Sequence, residues 1–212
     1  MRRLSLAVLA SALVAGGAAS AAPAVQPPPT LGPTASAIPA GYRVRRLTDA
    51  GFAVAFPAGW QLLQRRDAAW PGAAQTLTRV DRTLAPYLAA LVTPDSPLKL
   101  FGFDRRLPAA KATVLVSHQS FGAHWARGAL RAVRALPGVQ GLSHSRLRIA
   151  AGNALVARYE RGGLVTLQLF VPRGDSIVTL TLTAPPAAAD RYRALFLAVG
   201  RTLDLSVPIL HP

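Results

Sequence analysis

His118 and His124 are the first residues whose chemistry needs weighing. His118 follows a run that reads as a strand, and His124 falls in the first turn of the run that reads as a helix, so the two can approach each other in space. A metal site needs at least a third ligand. The chain has no Cys and only nine carboxylates, so no such ligand is identified and no metal or cofactor is expected. Gly141-Leu-Ser143-His144-Ser145 comes close to a nucleophile elbow, but the last position is not Gly. The elbow should also open a helix, whereas Arg148 and Ile149 continue as strand. A polar strand edge is the simpler reading. The carboxylates are Asp49, Asp67, Asp81, Asp95, Asp104, Glu160, Asp175, Asp190 and Asp204. Most fall at expected turns or helix starts, where Asp accepts from backbone N–H groups. No two of them are placed as an acid–base pair of the glycosidase kind. No Walker loop, dinucleotide fingerprint or His-Glu-x-x-His is present. No catalytic residue is assigned.

Other groups suggest contact rather than catalysis. Arg127, Arg131 and Arg134 lie on the outer face of the helix expected over Phe121 to Leu136, whose inner face carries Trp125, Ala129, Val133 and Leu136. Like charges at helical spacing weaken a helix slightly. The stripe is therefore the candidate partner-binding surface, set against the plainer role of a solvated face. Trp60, Trp70 and Trp125 with Phe121 could wall a ligand pocket, although Trp60 and Trp125 read better as core and Trp70, beside Pro71, as partly exposed. Arg173-Gly174-Asp175 matches an adhesion tripeptide but consists of ordinary turn residues.

The elements that must position these groups are clearest between Asn153 and Leu203. Val165, Leu167 and Leu169 alternate with Thr166 and Gln168, and Val178, Leu180 and Leu182 with Thr179, Thr181 and Thr183. Period-two alternation predicts strands with one buried and one wet face. Tyr192, Leu195, Phe196, Val199 and Leu203 recur at helical spacing, and a helix is expected over about Ala188 to Arg201. Upstream, Phe52 to Phe56 and Trp60 to Arg65 read as a hairpin about Pro57-Ala-Gly59. Pro86 breaks the helical run from Leu77 to Leu91 at Ala85 and opens a second short helix. Leu98 to Asp104, Ala112 to Ser117, Leu142 to Ile149, Leu155 to Glu160, Leu164 to Val171 and Ser176 to Thr183 are the remaining strands. Short turns between strands imply antiparallel pairing. The expected class is α+β: an antiparallel sheet flanked by helices.

Composition sets the address. Arg2 and Arg3, the apolar run Leu4 to Ala15 and the small residues Ala19-Ser20-Ala21 have the form of an export signal cleaved before Ala22. The apolar run is short for a membrane span, which needs about 20 residues. Ala22 to Ala40 carries six prolines and reads as a disordered linker, leaving 41–212 as one domain. The formal net charge is +15, carried almost wholly by Arg. Such a surface favours acidic partners, although a genome biased toward Arg and Ala would write the same composition.

Two segments resemble a known family. Gly-Phe-x-Val-x-Phe-Pro-x-Gly-Trp, Gly51 to Trp60, is similar to the opening of the PsbP-like α/β/α sandwich. Val178 to Pro185 followed by Tyr-x-x-x-Phe-x-x-Val-x-x-Thr-Leu, Tyr192 to Leu203, is similar to its last strand and helix. The nearest subgroup is the exported LpqN-type envelope proteins. The resemblance implies an antiparallel sheet between helices and a role in binding or in supporting other proteins. The fold also serves a photosystem II extrinsic subunit and a Ran-binding import factor, so it does not fix a function. LpqN-type proteins often carry a lipid on Cys, which this chain lacks, so secretion or periplasmic residence without a lipid anchor is expected. The reading is an exported, non-enzymatic binding or accessory protein whose partner is an envelope protein or anionic ligand. A secreted hydrolase and an electrostatic binder of anionic polymer or nucleic acid are the alternatives, with nucleic acid the less favoured.

Overall fold

The computed structural model describes residues 38–64, 82, 85–93, 95–118 and 122–209. The expected signal, most of the linker, Trp70 and Phe121 lie outside the described residues. Nine strands and three helices are described. They are β1 (Tyr42–Leu47), β2 (Phe52–Pro57), β3 (Trp60–Gln64), α1 (Ala85–Val92), β4 (Leu98–Asp104), β5 (Leu107–Ser117), α2 (Trp125–Arg134), β6 (Gln140–Ile149), β7 (Gly152–Arg161), β8 (Leu164–Arg173), β9 (Ser176–Ala184) and α3 (Ala189–Arg201). Seven strands form one sheet in the order β3-β4-β5-β9-β8-β7-β6, while β1 and β2 form a separate ribbon. Every pairing is antiparallel.

The alternation in the sequence sorts the sheet into two faces. Val114, Leu167, Leu169, Val178, Leu180 and Leu182 point to one face, under Tyr192, Phe196 and Val199 of α3 and Phe52, Val54 and Phe56 of β2. The opposite face is covered at both ends. Leu88 and Leu91 of α1 pack on Leu63, Leu98, Phe101 and Phe103. Ala129, Leu130 and Val133 of α2 pack on Leu155, Ala157, Tyr159, Phe170 and Ile177. The threonine face is therefore not open water: Thr166 and Thr179 are buried and Thr181 is half-buried. Helices stand on both faces, and the α+β sandwich expected from the sequence is observed. Pro86 opens α1 as its spacing predicts, in the first turn where its missing N–H costs nothing.

The opening hairpin differs from expectation. β2 pairs with β1, and β3 pairs with β4. Pro57-Ala58-Gly59 thus links two sheets instead of turning one hairpin. The physical reason lies on β2's other edge. Ala53 exchanges backbone hydrogen bonds with Asp204, at 2.8 and 2.9 Å, and the Ala55 N–H donates to Thr202 Oγ1 at 2.9 Å. The chain leaving α3 therefore occupies the position that β3 would have taken. A buried strand must satisfy both edges, and β2 does so with β1 and this C-terminal tail.

Arg173 pins the ribbon to the sheet. Its Nη1 donates to the carbonyls of Ala50 and Gly51 at 2.9 and 2.8 Å. Burial lowers the pKa of this guanidinium. The Arg of the Arg-Gly-Asp tripeptide is thereby engaged inside the molecule, consistent with its reading as a turn. Gly51 sits at φ +67°, and a Cβ there would lie 2.6 Å from Ile209 Cγ1 and 2.8 Å from Arg173 Nη1. Gly138, at φ +75°, has nothing within 4 Å. Gly51→Ala should destabilise the fold by about 1–3 kcal/mol beyond Gly138→Ala, because only the former adds displacement of the Arg173 clamp to backbone strain. Paired denaturant titrations of the two variants measure the difference, and equal losses would refute the clamp.

Candidate functional site

The residues with chemistry disperse in the fold. His118 ends β5 and is exposed, with Nδ1 3.3 Å from Ser176 Oγ. His124 precedes α2, exposed, with Nδ1 2.7 Å from Arg127 Nη2. Each histidine thus has a separate partner. Among the described residues no three His, Cys, Asp or Glu side chains gather as a metal site. Ser143 and His144 are exposed on the outermost strand, β6, opposite Arg158 and Ala157. As consecutive strand residues they face opposite sides of the sheet, and no elbow forms. Trp60 and Trp125 belong to clusters on opposite faces, so they do not share a pocket.

Arg127, Arg131 and Arg134 are exposed on the outer side of α2, as their phase predicts. The register enlarges this surface. Arg146 stands opposite Leu155 and Arg148 opposite Asn153, which places both, with His144, on the sheet face that α2 covers. All three are exposed. The sequence reading missed Arg146 and Arg148 because their phase on β6 becomes meaningful only once Leu155 is known to lie beneath α2.

A second cationic group lies at the other end of the sheet. A cavity of ≈ 440 Å³ opens between the β1–β2 ribbon and edge strand β3. Arg43, Arg45, Trp60, Gln61 and Arg105 are among the residues that line it, and none of the described lining residues is a carboxylate. Arg43 and Arg45 share one side of β1 by the two-residue repeat. Neither has a hydrogen-bond or ion-pair partner among the described residues. Arg105, in the β4–β5 turn, is held by a neutral acceptor: its Nε donates to Gln61 Oε1 at 3.1 Å, and Nη2 donates to the same oxygen. Its charge is oriented but not neutralised. Trp60 is 6% exposed, and its buried indole N–H has no acceptor among the described residues. The Arg-x-Arg of β1 could have signalled this site, but without the β1–β2 pairing nothing assigned it a face.

The cavity floor is braced from behind. Trp60 packs edge-on against Tyr192 at 6.2 Å and tilted against Phe56 at 5.4 Å. The Tyr192 hydroxyl donates to Asp104 Oδ2 at 2.7 Å, while Asp104 Oδ1 accepts from the Arg106 N–H at 2.8 Å. Asp104 is 6% exposed and Tyr192 fully buried. Burial, and then the hydrogen bond and negative charge of Asp104, push the Tyr192 hydroxyl up to about 12. Burial likewise pushes Tyr159 up to about 12. Gly102 faces Leu62 across the strand pair, where a Cβ would meet Leu62 Cδ2 at 2.7 Å and Trp60 Cε3 at 3.4 Å.

No protein-family model and no curated protein sequence matches the chain. Among solved structures, the solution structure of cyanobacterial PsbP (CyanoP) from Synechocystis sp. PCC 6803 aligns with a TM-score of 0.50 at 14% identity, over 82% of this chain and 98% of that one. A Pseudomonas aeruginosa protein of unknown function, PA94, aligns at 16% identity with a TM-score of 0.38, over 81% and 96% of the two chains. The first likeness shows the fold, and at that identity it shows the fold alone.

The Tyr192–Asp104 contact carries its own pH signature. Both raised tyrosines hold their protons in the folded chain above the usual value near 10. Their contribution to stability is whole below pH 10. It declines between pH 10 and 12, where the unfolded chain ionises and the folded chain does not. Denaturant midpoints should fall across that window. Tyr192→Phe should cost about 1–3 kcal/mol at pH 8, because Asp104 Oδ2 loses its buried donor, and should make the alkaline decline shallower. An alkaline decline as steep in Tyr192→Phe as in the parent would refute the assignment.

Proposed function

We propose that this chain, with the fold of PsbP, is an exported accessory protein of the cell envelope that binds an acidic protein partner and performs no chemistry of its own. Within that fold its nearest kin would be the LpqN-type proteins, in a form without a lipid anchor. The observation that carries the reading is the joint surface of α2 and β6. Arg127, Arg131, Arg134, Arg146 and Arg148 are all exposed on one side of the molecule. The Arg158–Glu160 ion pair, at 3.8 Å, involves none of these five. A cluster of uncompensated guanidiniums raises the local concentration of acidic partners and speeds their encounter, and guanidinium pairs with carboxylate through two parallel hydrogen bonds.

Two further features support the reading. Met1 to Ala21 has the charge, apolar run and small-residue ending of an export signal. Among the described residues no helix is long and apolar enough to cross a membrane. The hydrolase alternative draws no support from Ser143 and His144, which face opposite sides of the sheet.

Expression of the full chain in an exporting bacterium should yield a mature protein beginning at Ala22, read by intact mass and N-terminal sequencing. A product retained in the cytosol with Met1 would end the export reading. Immobilised mature protein should capture an acidic envelope protein whose retention falls steeply between about 50 and 300 mM salt, as screening shortens the reach of surface charge. R127E/R131E/R134E should abolish that capture without changing the melting temperature by more than a few degrees. Capture indifferent to both salt and charge reversal would refute the assigned surface.

A further inference from the structure

We propose that the cavity between the β1–β2 ribbon and β3 is a binding site for a phosphate-bearing ligand, with Arg43, Arg45 and Arg105 as its cationic walls. This goes beyond the partner surface on α2 and β6 and does not rest on it, since the cavity opens beside β3, at the end of the sheet opposite β6.

Three observations converge. The first is unbalanced charge. Three guanidiniums line one cavity of ≈ 440 Å³ with no carboxylate among the described lining residues, and Arg43 and Arg45 have no partner among the described residues. Clustered like charges repel one another and are stabilised together when an anion sits between them. The second is preorganisation. Gln61 accepts from two nitrogens of Arg105, which fixes the guanidinium plane while leaving its charge unspent. Of that guanidinium, Nη1 makes no hydrogen bond among the described residues. A fixed fork loses less side-chain entropy on binding than a free one. The third is a rigid floor. Trp60, 6% exposed, lines the cavity and is wedged between Phe56 and Tyr192.

The arrangement selects among anions. A carboxylate is planar, carries one charge and is satisfied by one bidentate fork. Here Arg43 and Arg45 approach from one wall and Arg105 from the other, separated by the gap between ribbon and sheet. A tetrahedral phosphoryl group presents oxygens in several directions and up to two charges, so it can meet donors on both walls at once. The volume admits more than the phosphoryl group. The shared chemistry is a phosphate ester, from either a soluble phosphometabolite or a phospholipid headgroup.

The test uses the mature full chain with pyrophosphate, glycerol phosphate and citrate as soluble probes, and phosphatidylglycerol vesicles against phosphatidylcholine vesicles. Calorimetry gives the affinity. Saturable pyrophosphate or glycerol phosphate binding is expected. R43A/R45A should weaken it roughly 10- to 100-fold, from the loss of charge-assisted hydrogen bonds. Arg43 is exposed and Arg45 half-buried, so this variant should fold. Gln61→Ala, which removes no charge, should weaken binding less by freeing Arg105. R127E/R131E/R134E should leave binding within about twofold, because those charges lie beyond a screening length. Soluble esters binding in an Arg43/Arg45-dependent way identify a phosphometabolite. Phosphatidylglycerol vesicles binding alone, with the same dependence, identify a headgroup. Both outcomes support the site. No saturable binding of any phosphate probe, binding unchanged in R43A/R45A, or citrate binding as tightly as pyrophosphate would overturn it. These outcomes are separate from those that test export and the acidic partner.

Discussion

The hydrogen bond from Tyr192 to Asp104 ties together parts of the molecule far apart in sequence. Tyr192 begins the apolar stripe of α3, and Asp104 ends β4, 88 residues earlier. A phenol and a carboxylate are both costly to bury alone and inexpensive to bury as a bonded pair. Their pairing fixes how far along the sheet α3 can slide, because the helix must deliver one hydroxyl to one oxygen. Once α3 is placed, its exit through Thr202 and Asp204 is placed too, and that exit completes the edge of β2. The ribbon then cannot join the main sheet. The gap it leaves beside β3 is the cavity, with Trp60 wedged between Phe56 and Tyr192 as its floor. A polar contact inside an apolar core thus decides the position of a surface feature.

The main sheet was readable in the sequence because its rule is local. Val165 to Leu169 and Val178 to Leu182 declare their faces by alternation, and α3 by its helical stripe. The turns at Ala151-Gly152 and Gly162-Gly163 join the strands they separate. The first hairpin was misread for an equally physical reason. Phe52 to Phe56, Pro57-Ala58-Gly59 and Trp60 to Gln64 satisfy every local condition for two paired strands. The competitor that displaces β3 from β2 is a tail roughly 150 residues downstream, which no local pattern announces. β1 went unread as a strand because Arg43, Arg45 and Arg46 dilute its alternation.

The same asymmetry governs the sites. The arginines of α2 were legible because helical phase alone separates Arg127, Arg131 and Arg134 from Ala129 and Val133. Those of the cavity were not, because Arg43 and Arg105 are 62 positions apart in the chain and meet only through the ribbon and the β4–β5 turn. His118 shows the opposite failure. Its partner is not His124 but Ser176, brought beside it by the pairing of Ser117 with Ile177. Residues adjacent across strands are determined by register, and register is a property of the whole sheet.

The two cationic regions occupy opposite ends of the seven-stranded sheet. At about 4.8 Å per strand they stand roughly 20 to 30 Å apart. The screening length at physiological salt is only about 8 Å. Neither region therefore feels the other's charge, and each must be balanced locally. For the α2 and β6 surface, solvent and counterions can do this, since every guanidinium there is exposed. For the cavity they do it less well, because Arg45 is half-buried and Trp60 almost fully so. Counterions screen an open face cheaply but lose hydration on entering a confined one. The penalty for leaving cations unpaired is consequently greater at the cavity, although it holds fewer of them. A broad exposed stripe suits a large partner that covers it reversibly. A confined trio suits a small ligand that replaces the water it excludes.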